Sequence, residues 1–281
     1  MAGMLPLAAV YGLFGLVIGS FLNVCIHRIP RGESVVRPAS RCPSCGKPVR
    51  PYDNIPVLAY LWLRGKCRFC RGRIPLRYPA VELLTALAFY LCGRTWGAAP
   101  AGFLNAAFLS ILIVLVFIDY DHQILPDVLT IPGAILGLAA SPLQDEALLR
   151  DPIALAVATR LAPGSAAALL PWIGSLIGAL AGGGLLFLVA WIYETIRHRQ
   201  GLGLGDVKMM ALVGSFLGWR LALLTIFAGS LAGSLVGLLL VALRGQTLET
   251  RLAFGTFLGF GAAAALFLGL PFLSWYLGNI R

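Results

Sequence analysis

The chain has 281 residues, of which 59% are hydrophobic and 12% charged, with a mean hydropathy of +0.85 and a formal net charge of +10. A soluble domain is nearer half apolar and a quarter charged, so this composition excludes an ordinary soluble protein and points to a polytopic membrane protein. The charge is concentrated: residues 27–78 hold 12 Lys/Arg against 2 Asp/Glu, a net of +10, and the rest of the chain balances.

A helix needs about 20 apolar residues to cross a bilayer. On that basis the sequence predicts an all-α membrane protein with about eight spans, at 5–26, 79–93, 101–118, 128–140, 169–193, 205–219, 221–243 and 253–278. The first, LPLAAVYGLFGLVIGSFLNVCI, has no basic residue before it and no small-residue cleavage site after it, so it reads as a retained span. Lys and Arg gather on the cytoplasmic side of membrane proteins, which makes 27–78 cytoplasmic and the N-terminus external. Eight spans then put 119–127, 194–204 and 244–252 on the same face, in keeping with Arg197, Arg199, Arg244 and Arg251, and 141–168 outside. The basic loop reads as a topology signal that also attracts anionic lipid head groups. No aromatic-interleaved module accompanies it, so no nucleic-acid partner is expected.

Within that loop stand Cys42 and Cys45, and then Cys67 and Cys70 after 21 intervening residues. Two C-x-x-C pairs let four thiolates reach one tetrahedral zinc, and the glycines of the following "GK" and "RG" permit the tight turns. Disulfides are the competing reading, disfavoured in a reducing cytoplasm. A closed site of four cysteines is structural, and it would hold a loop too small for its own core, a zinc-ribbon-like arrangement. Cys25 and Cys92 lie in apolar spans and read as packing residues.

Ionisable groups at membrane spans are costly and usually functional. VFIDYDHQILPDVLT places Asp119, Asp121 and Asp127 just after the third span, and GLGLGDVK places Asp206 at the start of the sixth. Charge bias and span parity alone bring both clusters to the cytoplasmic face. Two carboxylates in a partly dry site share a proton, giving one base to activate water and one acid to protonate a leaving amine. Asp127 and Asp206 could each instead cap a helix, and Asp121 could be a solvated interfacial charge. Gly201, Gly203 and Gly205 would let an extended substrate strand approach, with Lys208 beside them. His122 and His198 read as solvated interfacial side chains.

These residues together resemble the bacterial type IV prepilin peptidases, a family of GxGD intramembrane aspartyl proteases. The resemblance runs over nearly the whole chain through RCPSCGKPVRPYDNIPVLAYL, GKCRFCRGRIPLRYPAVE, DYDHQILPD and GLGDVK. It implies that Asp119 and Asp206 are the catalytic pair and that Cys42, Cys45, Cys67 and Cys70 bind zinc; Asp121, Asp127 and Glu82 are candidates for auxiliary roles beside them. It implies a substrate: a prepilin or type II secretion pseudopilin whose short basic leader is cut after a glycine, at the cytoplasmic face of the bacterial inner membrane. Lipid head groups, or Asp119 and Asp121, would read the leader's charge. Many members also N-methylate the new N-terminus with S-adenosylmethionine, and Glu82 is a candidate for positioning that amine. The loop is too short for a Rossmann methyltransferase and carries no nucleotide fingerprint, so the donor would need an unconventional site between loop and membrane. The expected organisation is a first transmembrane helix at 1–26, a zinc loop at 27–78 and a transmembrane peptidase domain at 79–281. The alternatives are a peptidase without methylation or, from another class, a zinc-ribbon scaffold or proton-coupled transporter.

Overall fold

The computed structural model describes residues 4–198, 201–244 and 252–279. Contacts divide the chain into two compact units, Met1–Val114 and Leu115–Arg281. Among the described residues the secondary structure is helical, apart from two isolated bridges in the cysteine loop.

In the first unit, α1 (Met4–Arg28) is followed by the cysteine loop, the short α2 (Leu58–Trp62) and α3 (Arg77–Trp96). Small residues on α1 bring the two long helices into backbone contact, as membrane helices commonly pack. A Cβ at Gly15 would lie 2.7 Å from Ala86 Cα, and one at Gly19 would lie 2.7 Å from Glu82 Cα. Tyr11 fills the space opposite Gly93, and its ring stands 5.0 Å from that of Phe103. Cys25 and Cys92 are buried here as packing residues.

α4 (Pro100–His122) runs from the first unit into the second, which continues with α5 (Asp127–Ala139), α6 (Glu146–Leu149), α7 (Pro152–Leu161), α8 (Ala166–Arg197), α9 (Leu204–Arg244) and α10 (Phe254–Asn279). The expected external loop 141–168 thus contains two short helices. Asp151 caps α7 by accepting from the Ile153 and Ala154 N–H groups at 2.8 and 3.0 Å, ahead of Pro152 in the first turn. α8 meets α9 through glycines: a Cβ at Gly178 would lie 2.1 Å from the Gly214 carbonyl oxygen, and one at Gly182 would lie 2.5 Å from that of Met210. The Ser175 hydroxyl donates to the Ser215 carbonyl at 2.7 Å, pinning the same contact.

α9 breaks at Gly218, whose φ of 75° and ψ of 170° lie outside helical values. The chain around α6 fills the break. Gln144 Nε2 donates to the Phe216 carbonyl at 3.3 Å, and Arg220 donates to the Arg150 carbonyl at 2.9 Å. Backbone groups freed at a break in a membrane helix need such partners.

By length and composition, five helices among the described residues are apolar enough to cross a membrane: α1, α4, α8, α9 and α10. The protein is a multi-pass membrane protein. The eight expected segments all fall on helices, but α5 has 13 residues, α3 is diluted by Arg77, Glu82 and Arg94, and the sixth and seventh segments are the two arms of α9. Of the basic residues expected at one face, Arg197 ends α8 and Arg244 ends α9, while Arg199 and Arg251 lie outside the described residues.

Candidate functional site

Asp119 sits one turn from the end of α4 and is 5% exposed. Its Oδ2 accepts two hydrogen bonds from one residue of α10: the Thr256 N–H at 2.6 Å and the Thr256 hydroxyl at 3.0 Å. That approach needs the glycine before the threonine, because a Cβ at Gly255 would lie 3.1 Å from Asp119 Oδ2 and 2.9 Å from Leu125 Cδ1. Asp206 lies in the first turn of α9, its N–H donating to the Gly203 carbonyl at 3.1 Å. Its charge and that of Asp119 act on each other across the site. Leu125 also packs against Gly205, where a Cβ would lie 2.9 Å from the leucine Cβ. One apolar side chain in the α4–α5 connection thus separates the glycine before Asp206 from the glycine before Thr256.

The other expected residues are arranged differently. Asp121 is exposed. Asp127 does not cap α5 from outside: it is the helix's first residue, and both carboxylate oxygens are held by Lys208 Nζ at 2.7 and 2.8 Å. A carboxylate in a first turn suits the helix dipole, and Lys208, one turn into α9, anchors it there. Asp206 is likewise a first-turn residue inside its helix and not the cap. Gly203 is exposed beside Asp206, and Gly201 faces the Tyr193 ring. His122 and His198 are exposed, as expected. Sequence reasoning passed over Gly255, Thr256 and Leu125, although the "FGT" opening the last apolar segment offered a glycine and a hydroxyl together.

In the first unit, the four sulfurs of Cys42, Cys45, Cys67 and Cys70 lie within 4.8 Å of one another, and those of Cys42 and Cys70 are 3.9 Å apart. Zn–S bonds of about 2.3 Å in a tetrahedron set the sulfurs about 3.8 Å apart, so the cluster is compatible with zinc. Each pair forms a knuckle closed by a single bridge, Arg41 to Pro48 and Lys66 to Arg73. The Cys42 N–H donates to the Lys47 carbonyl at 2.9 Å, and the Cys67 N–H donates to that of Gly72 at 2.8 Å. The left-handed position is Gly46 in the first knuckle, with φ 68°, but Arg71 in the second, with φ 60°. Gly72 serves instead to pass close to Cys70, 3.3 Å from its sulfur to a built Cβ. The backbone N–H groups of Cys70 and Phe69 hold the Cys67 thiol down at about 6, which favours the thiolate that metals bind. Asp53 takes a two-pronged ion pair from Arg68, at 2.6 and 2.8 Å, and the guanidinium holds its carboxyl below the usual range.

Glu82, on α3 of this same unit, is 8% exposed. Its Oε2 accepts the Val57 N–H at 2.7 Å, and the Ser20 hydroxyl also bonds it. Val57 has φ 59°, an outlier for a β-branched residue and one that marks a constrained loop. Beneath the loop lies a cavity of about 420 Å³ reaching from Cys42 and Cys67 past Asp53 and Tyr60 to Glu82. Sites for nucleotide-sized ligands span roughly 300–1,000 Å³, so the cavity has room for one.

Residues 13–96 match the Bacterial Peptidase A24 N-terminal domain, and residues 106–238 match the Type IV leader peptidase family. The chain is 35% identical to the prepilin leader peptidase/N-methyltransferase of Aeromonas hydrophila, over 95% of this chain and 92% of that one. It is 34% identical to the protein of the same name from Pseudomonas aeruginosa, over 94% and 91%, and 34% identical to that from Burkholderia pseudomallei, over 92% and 85%. No solved structure matches. Two family matches in sequence along the chain, and identity of this order over almost all of it, make the chain a member of the type IV leader peptidase family.

Proposed function

We propose that this protein removes the short basic leader of a prepilin or pseudopilin, using Asp119 and Asp206, and then N-methylates the exposed terminus. The observation that carries the reading is that Leu125 packs against both Gly205, beside Asp206, and Gly255, beside the Thr256 that holds Asp119, so the two acids from α9 and α4 flank one point. Its context is a family whose relatives carry both activities in their names.

Thr256 occupies one oxygen of Asp119, and the other would act on the attacking water. One carboxylate removes a proton from water as its oxygen adds to the carbonyl carbon of the leader's final glycine. The second, protonated carboxyl gives its proton to the amide nitrogen as the C–N bond breaks. No nucleophilic side chain is required. Asp127 and Lys208 tie the start of α5 to the start of α9 and so steady Asp206, while Gly203, Gly205 and Lys208 border the substrate's approach and Asp121 meets the leader's charge.

Cys42, Cys45, Cys67 and Cys70 would hold a structural zinc that braces the loop. When bound, S-adenosylmethionine would supply the methyl group. On this reading 1–26 is the first span, 27–78 a cytoplasmic zinc loop and 79–281 the peptidase region, in a bacterial inner membrane with the N-terminus external and anionic head groups around the loop.

The test is processing of a co-expressed prepilin by wild type, Asp119→Asn and Asp206→Asn at equal membrane abundance. Asparagine keeps the shape and removes the titrating group, so each variant should lose on the order of 10²–10⁴ in rate. Cleavage by Asp206→Asn at the wild-type rate would end the aspartyl-protease reading. Cleavage by Asp119→Asn alone would shift the role to Asp121.

A further inference from the structure

Resting on the methylation reading above, we propose that the cavity enclosed by the cysteine loop, α1 and α3 binds the methyl donor, with Glu82 as counter-charge to the donor's cationic centre. The donor is a nucleoside carrying a sulfonium, an ammonium and a carboxylate, so a fitting site offers fixed negative charge, a flat apolar slot and a cation at its edge.

The charge comes from Glu82. Two well-buried acidic side chains line the cavity, and they differ in what they face. Asp53 is neutralised by Arg68 through two hydrogen bonds. Glu82 is bonded only by neutral groups, the Val57 N–H and the Ser20 hydroxyl, and no cationic side chain pairs with it among the described residues. The lining also carries Arg28, Arg41, Lys47, Arg68 and Arg73, none of them paired with Glu82, so a buried carboxylate at this one end of the cavity is costly until a cation reaches it.

The carboxylate is also held still. Gly19 lets the backbone of α1 lie against Glu82, which brings Ser20 within reach. Val57 keeps its strained conformation while its N–H is spent on Glu82. The neighbouring Asn23 is spent on the Tyr78 carbonyl at 3.0 Å and that of Gly19 at 3.3 Å, so it does not compete for the ligand. Tyr60 supplies aromatic surface for a base, Phe69 being covered by Lys47 and Arg50. Arg28, held by the Ser34 and Pro38 carbonyls at 2.9 and 2.7 Å, stands at the edge with its remaining N–H groups for the donor's carboxylate. The cysteine knuckles form one wall, which gives a metal-braced loop a direct reason to matter for methylation.

The experiment measures binding by titration calorimetry on purified, zinc-loaded, full-length protein in micelles. The ligand is S-adenosylmethionine, with the neutral S-adenosylhomocysteine alongside. Glu82→Gln should weaken S-adenosylmethionine by about tenfold or more while keeping wild-type zinc content and melting temperature; unchanged affinity removes Glu82 from the site. Ultraviolet cross-linking of radiolabelled donor to wild type does not depend on any variant folding, and it should label peptides within residues 20–82. Label elsewhere, on an enzyme that still methylates a cleaved prepilin, overturns the site and leaves the activity standing. Wild type that neither binds nor transfers overturns both.

Discussion

Thr256 reaches Asp119 from its backbone and its hydroxyl at once, so Thr256→Val separates the two contributions. The variant keeps the N–H and loses the hydroxyl. One hydrogen bond to a charged group contributes about 1.5 kcal/mol, so we expect leader cleavage to slow roughly tenfold at unchanged protein abundance. A rate equal to wild type would leave the hydroxyl without a part in the chemistry. Asp53 makes a prediction in pH. Its carboxyl is held low by Arg68, so its stabilisation of the loop is complete at neutral pH and is lost as pH falls through that lowered value. Limited proteolysis of the loop at pH 7 should therefore be faster in Asp53→Asn, and acidification should erase the difference. At this scale the sequence disclosed residues that are expensive where they stand. Asp119 and Asp206 are acids at apolar spans, and four cysteines in two pairs have few bland explanations. Thr256 was hidden because a hydroxyl in a membrane helix is ordinary and its partner is 137 positions away. Val57 was hidden because strain leaves no mark on residue type.

Among the elements, α7 opens with Asp151 and Pro152, a cap followed by a first-turn proline, a signal missed by reading 141–168 from hydropathy alone as an external loop. The break in α9 was legible only as a boundary between two apolar runs. Neither run discloses that Gly218 adopts a positive φ or that α6 packs into the gap. Gly218→Ala meets two obstacles, the left-handed backbone and a Leu148 carbonyl oxygen 2.6 Å from the new Cβ. Thermal unfolding in micelles should show a loss of roughly 2 kcal/mol. An unchanged melting temperature would mean that α6 yields easily. The second knuckle carries a similar lesson: both halves of the loop turn alike, but Arg71, not Gly72, takes the left-handed place.

For the whole molecule, the compact units predict separable responses. Stripping the metal with a mercurial should release one zinc per chain and expose residues 41–75 to protease, while 115–281 stays resistant and leader cleavage persists. Loss of cleavage together with the metal would tie the zinc to the peptidase instead. Composition made the membrane character plain, whereas the number of crossings was not fixed by it, because α3 and α5 are marginal by any hydropathy rule. The lengths of two elements carry one more consequence. α5 has 13 residues, and the first arm of α9, 204–217, has 14, so each spans about 20 Å against a hydrocarbon core of about 30 Å. Asp127 and Asp206 sit at the starts of these two helices. The first arm of α9 is largely covered by protein, but α5 turns Val128, Ile131 and Ile135 outward, so on the proposed reading the lipid beside it would thin to meet it near Asp127. On that reading, water would then reach the acids without entering oil, and a pilin's apolar helix could present its junction without leaving the bilayer. Acyl-chain length would, on the same reading, bear on turnover.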